Sequence, residues 1–175
     1  MQDLLETWLN EIQNNTSVSP ADIPKIDLYM DQVLTFLEDQ LGDTKRNPED
    51  KVMTKTMINN YSKEKLLPPS NKKKYSIQHI QLLNLIYQFK SILSIHDIYV
   101  LLTPYIQKPD QLQSFYEEYL LQETLQKQAL IDDVKAMDAP SLRQLASSLV
   151  TRATLEARLA EKILDHLEAT EHLDS

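Results

Sequence analysis

Between residues 54 and 74 the chain sets out two groups of side chains whose chemistry suits a nucleic-acid duplex. The first is Thr54, Lys55, Thr56, Asn59, Asn60 and Lys63, donors and acceptors of the sort that read base edges and phosphates. The second is the run Lys72, Lys73 and Lys74, three ammonium groups that can hold a phosphate backbone by charge alone. At about 100° per residue, a helix opening at Thr54 puts Met57, Ile58 and Tyr61 on one side and Lys55, Thr56, Asn59, Asn60 and Lys63 on the other. The apolar side has to pack, and the polar side faces outward. Most polar helix faces are merely solvated, and most lysine triplets are solvated turns, so the bland reading stands beside the functional one.

Charge distribution favours the functional one. The 175-residue chain carries a net charge of −8, which by itself speaks against a polyanionic partner. Residues 45–74, however, hold nine basic side chains against three acidic ones, a local +6, so the remainder of the chain carries −14. A basic patch sits on an acidic body.

The elements that must position this patch are helical. Gly occurs once, and tight sheet turns usually need glycine, so the composition predicts a nearly all-α protein. Leu4, Leu5, Trp8, Leu9 and Ile12 recur at three- and four-residue spacing and predict an amphipathic helix over residues 3–13, followed by a polar linker over 14–20. Trp8 reads as a packing anchor. Leu28, Met30, Val33, Leu34, Leu37 and Leu41 predict a helix from Asp27, with Gly42 as its left-handed cap. Residues 43–51, short, charged and interrupted by Pro48, read as a mobile loop. Thr54 is a good N-cap for the polar helix, which Pro68 and Pro69 stop. Residues 70–74 then form a basic loop, a wing in the functional reading, with Tyr75 pinning it to the core.

Ser76 opens a helix apolar in nearly every direction (Ile77, Ile80, Leu82, Leu83, Leu85, Ile86, Tyr87, Phe89, Ile92), which must be central. Ser94 and Asp97 make a capping box for a helix carrying Ile95, Ile98, Leu101 and Leu102, ended by Pro104 and Pro109. Two long helices fill the C-terminal part, divided at Pro140. The last bears Leu145, Leu149, Leu155, Leu159, Ile163 and Leu167, and either folds back on its neighbour or pairs with another chain. The Phe115, Tyr116 and Tyr119 cluster reads as core packing, or as the lining of a pocket for an unknown small-molecule effector.

Residues 54–67 resemble the recognition segment of MerR-type regulators: a capping Thr54, Ile58, the aromatic Tyr61, Lys63, and a Leu66-Leu67-Pro68 exit. The similarity continues through the basic wing closed by Tyr75, and Ser94, Asp97, Ile98, Leu101 and Leu102 echo the end of that motif. The phrase MTKTMINNYSKEKLLPP is also similar to the signature of a bacterial family of unknown function that includes YkrK, whose members are regarded as transcriptional regulators. The resemblance implies a winged helix-turn-helix domain on double-stranded DNA, working as a homodimer, with Thr54, Lys55, Thr56, Asn59, Asn60, Lys63, Lys72, Lys73 and Lys74 at the DNA. The chain departs from the MerR pattern in several places. Thr56 and Asn59 stand where arginines are usual, Lys65 stands where a glycine often caps the helix, and the turn before Thr54 is long. No long dimerisation helix is expected directly after the helix that Ser94 opens.

The resulting expectation is an all-α chain: an N-terminal helix and linker (1–19), a MerR-like winged helix-turn-helix domain (20–109) and a helical dimerisation or sensing region (110–175). A helical protein-interaction module without DNA-binding activity is the alternative. Cysteine is absent, which removes disulfides and thiolate metal sites and fits a reducing cytoplasm. The acids in MQDLLETWLN argue against a secretion signal. A single glycine cannot build a phosphate loop. His79, His96, His166 and His172 lack metal-ligand spacing, His79 and His96 reading as surface or helix-flanking residues. The adjacent acids Glu117/Glu118 and Asp132/Asp133 point apart on a helix. The sequence therefore predicts no metal, no cofactor and no enzyme.

Overall fold

The computed structural model describes residues 2–15, 17–137 and 141–171. Among them are seven α-helices and one two-stranded sheet: α1 (Gln2–Asn14), β1 (Leu28–Tyr29), α2 (Met30–Leu41), α3 (Lys55–Lys63), β2 (Lys74–Tyr75), α4 (Ile77–Phe89), α5 (Ile95–Ile106), α6 (Pro109–Lys135) and α7 (Leu142–Glu171). The chain is mostly helical, as its composition predicts. Pro140 and His172 lie outside the described residues. No helix among those described is long and apolar enough to cross a membrane.

α4 is the centre. Leu82, Leu83, Leu85 and Ile86 are fully buried, and each aliphatic side chain so placed contributes about 1.5–3 kcal/mol relative to exposure. Around them pack Val33, Leu37 and Leu41 of α2, Ile58 and Tyr61 of α3, Ile98 and Leu102 of α5, Leu112 and Tyr116 of α6, and Val18 and Ile23 ahead of the first strand. A smaller cluster joins Leu9 of α1 to Ile131 and Val134 of α6 and Leu145 of α7. Helix α6 thus serves two cores, its first turns the main one and its last turns the second.

Of the stretch read as a linker over 14–20, Ser17 and Val18 are bound into the main core. Tyr116 Oη donates to the Val18 carbonyl at 2.6 Å, and Asn84, fully buried in α4, accepts from the Val18 N–H at 3.5 Å. The Ser17 N–H donates to Glu123 at 3.2 Å, Ser17 Oγ lies 3.1 Å from Tyr119 Oη, and Lys127 closes on Glu123 at 3.1 Å. Burial pushes the Tyr116 hydroxyl far up and the Tyr119 hydroxyl up to about 12. Phe115 stacks on Tyr105 with ring centres 4.4 Å apart, and Tyr119 meets Phe89 edge-on at 5.5 Å. The aromatic cluster is packing.

Several expectations are corrected. Leu28 and Tyr29 do not begin α2; they pair antiparallel with Tyr75 and Lys74, and Tyr29 is the extended N-cap of α2, its N–H donating to Gln32 Oε1 at 2.9 Å. Gly42 is not a left-handed cap: its φ is −56°, and it opens a 3-10 turn, Gly42–Thr44. Residues 43–51 are anchored, since Glu38 pairs with Lys45 and accepts from the Val52 N–H at 3.1 Å. Pro104 lies inside α5 near its C-terminal end, where it forgoes the bond that an N–H there would give the Val100 carbonyl. The 27-residue α6 begins at Pro109, shortly after α5 ends at Ile106, so a long helix does follow the one that Ser94 opens.

Candidate nucleic-acid interface

Helix α3 begins where expected. Thr54 is extended (φ −123°, ψ 158°) and its side chain accepts from the Met57 N–H at 3.2 Å, satisfying one of the first-turn donors. Ile58 and Tyr61 are buried, whereas Lys55, Thr56, Asn59, Asn60 and Lys63 are exposed. Burial raises the Tyr61 hydroxyl above its ordinary range, keeping it neutral within the core.

Both ends of α3 are fixed. Upstream, the peptide groups of Val52 are gripped from two sides: Glu38 accepts its N–H, and Lys90 Nζ donates to its carbonyl at 3.3 Å. The Lys45 ammonium holds the Glu38 carboxyl below its usual range, and Lys90 also lies 4.7 Å from the Tyr87 ring centre. Downstream, the Leu66 N–H donates to the Tyr61 carbonyl at 2.9 Å and the Lys65 N–H to the Ser62 carbonyl at 3.2 Å. These two bonds are the Schellman pattern, whose left-handed residue is usually glycine. Here it is Lys65, at φ 60°.

The basic loop is a hairpin tip. The Lys74 N–H donates to the Asn71 carbonyl at 2.9 Å, Asn71 and Lys74 form an antiparallel bridge, and between them Lys72 and Lys73 have φ of 49° and 63°. Two successive positive φ values are what a type I′ turn requires, a position in which Asn-Gly is favoured. Left-handed backbone costs an L-residue about 1–2 kcal/mol. The positive-φ residues of the described chain are Lys65, Lys72 and Lys73, all exposed and all within the basic window.

His79 closes the loop at its base. Its Nδ1 accepts the Ser76 N–H at 3.1 Å, which leaves Nε2 to donate to the Pro68 carbonyl at 3.0 Å. The ring is 4 % exposed, and Tyr75 meets it edge-on with centres 5.3 Å apart. Of the two expectations for His79, surface or helix-flanking, the first is corrected: the ring is buried at the start of α4, and burial lowers its basicity despite the Pro68 bond and nearby Asp27. His96 is exposed and pairs with Glu168 of α7 at 2.9 Å.

The nine residues singled out from sequence are not equivalent. Thr54 spends its hydroxyl on the cap, and Lys74 Nζ lies 5.0 Å over the Tyr29 ring, its cross-strand partner. Lys55, Thr56, Asn59, Asn60, Lys63, Lys72 and Lys73 remain exposed. Sequence reasoning passed over Lys65 and Asn71 as candidates, both also exposed; the missing glycine at each left-handed turn was their signal. Beside α3 runs an open groove of about 980 Å³, bordered by Met57, Asn60 and Lys65 and by Ile95, His96 and Tyr99 of α5.

A family model described as a domain of unknown function (DUF1836) matches residues 18–119. The match takes in the main core and the hairpin, and leaves out Ser17 and Glu123. No curated protein and no solved structure matches the chain.

Proposed function

The chain belongs to the DUF1836 family, and from the geometry of the matched region we propose a DNA-binding transcriptional regulator of winged helix-turn-helix type. In this reading α3 enters the major groove with Lys55, Thr56, Asn59 and Asn60 at the base edges. Lys63, Lys72 and Lys73 hold phosphates, and Lys74 and Thr54 fix the two elements in place. A homodimer presents two such modules to half-sites about one helical turn apart, or a multiple of it.

The observation that carries the reading is the cost accepted at the hairpin tip. Lys72 and Lys73 stand in left-handed backbone where glycine would be stable and lysine is strained. Strain of this kind persists where a side chain has a use, and for an exposed ammonium pair beside a polar helix face that use is a polyanion. The clamps on Val52 and Pro68 add preorganisation, which reduces the ordering cost of binding.

Selection of bound duplexes from a random pool tests the proposal. A recovered motif with two-fold symmetry is expected. Failure to enrich any sequence or to retain any duplex at low salt would contradict it and leave the helical interaction module as the better reading.

A further inference from the structure

We propose that the free ridge of α7, formed by Leu155, Leu159, Ile163 and Leu167, packs against the same ridge of a second copy of this chain, with Glu156 of each copy beside Lys162 of the other. This names the contact surface of the dimer invoked above; it rests on that reading only for the dimer's purpose.

Helix α7 is docked along one side. Leu145 is buried against α6 near its start, Leu164 is buried near its end, and Glu168 reaches His96 of α5. The other side is open: Leu155 is 60 % exposed, Leu159 61 %, Ile163 52 % and Leu167 40 %. These residues succeed one another at four-residue intervals, a continuous row about 18 Å long. Rows of this kind interdigitate with a like row at a crossing angle of about 50°. A contiguous apolar strip of large side chains is what a monomer in water avoids.

Charge selects the occupant. Outside the basic window the chain carries −14, so two copies repel unless the contact excludes that charge. At about 100° per residue, Glu161, Asp165 and Glu168 fall on faces away from the row. One flank carries Arg152 and Glu156, with Arg152 held also by Asp133 of α6 at 2.7 Å, and the opposite flank carries Arg158, Lys162 and His166. Near Leu159 one flank offers an acid, Glu156, and the opposite flank a base, Lys162. A two-fold contact is isologous, each residue meeting its counterpart's complement twice, so a single Glu156 and a single Lys162 supply two reciprocal pairs. A uniformly acidic or uniformly basic partner would meet one flank of its own sign, whereas an antiparallel second copy sets the acidic flank of each against the basic flank of the other. Glu156 accepts from Arg152 Nε at 2.9 Å, which sets its carboxylate at the edge of the row.

Sedimentation velocity of the full chain without DNA tests the surface. The wild type is expected to sediment as a dimer, and Leu159→Glu with Ile163→Glu as a monomer of unchanged helical circular dichroism. Should that pair reduce helicity, the charge exchange decides. Glu156→Lys weakens the dimer several-fold, and Lys162→Glu added to it restores the wild-type constant. A wild type that stays monomeric, a dimer indifferent to Leu159→Glu and Ile163→Glu, or a charge exchange without rescue would overturn the proposal. Duplex binding separates the two readings: a wild type that dimerises through this row yet retains no duplex sinks the regulator and leaves this surface standing. A monomeric wild type that still selects a duplex sinks the surface alone.

Discussion

His79 Nε2 donates to the carbonyl of Pro68 at 3.0 Å, a bond across the neck of the loop that carries Lys72 and Lys73. The last residues of the α3 segment and the first turn of α4 are thereby held by one buried ring. Because burial lowers its basicity, the unfolded chain takes up a proton more readily than the folded one. The stabilisation from neutral His79 is therefore fully present above the unfolded value near 6.5 and is lost as pH falls from there through the lower folded value. Urea midpoints should drop between pH 7.5 and pH 5.5. His79→Gln should be less stable at pH 7.5 by about 1–3 kcal/mol, with a flatter dependence over that interval. An unchanged pH slope in the variant would show that His79 is not the group responsible.

The left-handed lysines set stability against binding. Replacing Lys65 by Gly, or Lys72 and Lys73 by Asn and Gly, removes steric strain while adding backbone entropy to the unfolded chain. Each change should raise stability by up to about 1 kcal/mol, read as a higher melting temperature. The Lys72→Asn, Lys73→Gly protein should at the same time bind duplex DNA more weakly.

At the lead-in to α3, the Glu38 carboxylate is held below its ordinary range by Lys45 and by the Val52 N–H. Its contribution is present above the ordinary value of 4.5 and disappears as pH falls through the lower folded value. Partial exposure keeps this small. Glu38→Ala should leave the fold intact, cost about 1 kcal/mol, and shorten hydrogen-exchange protection at the Val52 amide more than at the core amides of α4.

Tyr116→Phe tests the N-terminal clamp. The substitution preserves the ring and strands the Val18 carbonyl, a loss of about 1–3 kcal/mol. Proteolysis between residues 14 and 20 should become faster, with little change in the rest of the chain.

Local signals were legible in the sequence and distant pairings were not. The two faces of α3, the Thr54 cap, the Ser94–Asp97 box and the centrality of α4 follow from residues within one or two turns of each other. The β1–β2 pair joins Leu28 to Tyr75, and the clamp joins Ser17 to Glu123; no periodicity links such positions. His79 looked superficial because the Ser76 N–H and the Pro68 carbonyl that it bonds leave no trace in side-chain pattern, although the Ser76 hydroxyl at 2.9 Å is a third partner. Gly42 misled for the converse reason, since glycine tolerates a left-handed backbone without demanding one. Among the site residues, sequence could mark Lys74 as basic but could not show that its ammonium rests on Tyr29.

The salt dependence of duplex binding, followed by fluorescence anisotropy on wild type and on the Lys72→Ala, Lys73→Ala, Lys74→Ala protein, tests the central claim most directly. With Lys63, Lys72 and Lys73 each neutralising a phosphate, the log–log slope should be about −3 per module. The triple variant should bind all sequences more weakly with a correspondingly shallower slope, whereas Asn59→Ala mainly relaxes sequence choice. Equal affinity and equal slope for wild type and triple variant would contradict the account.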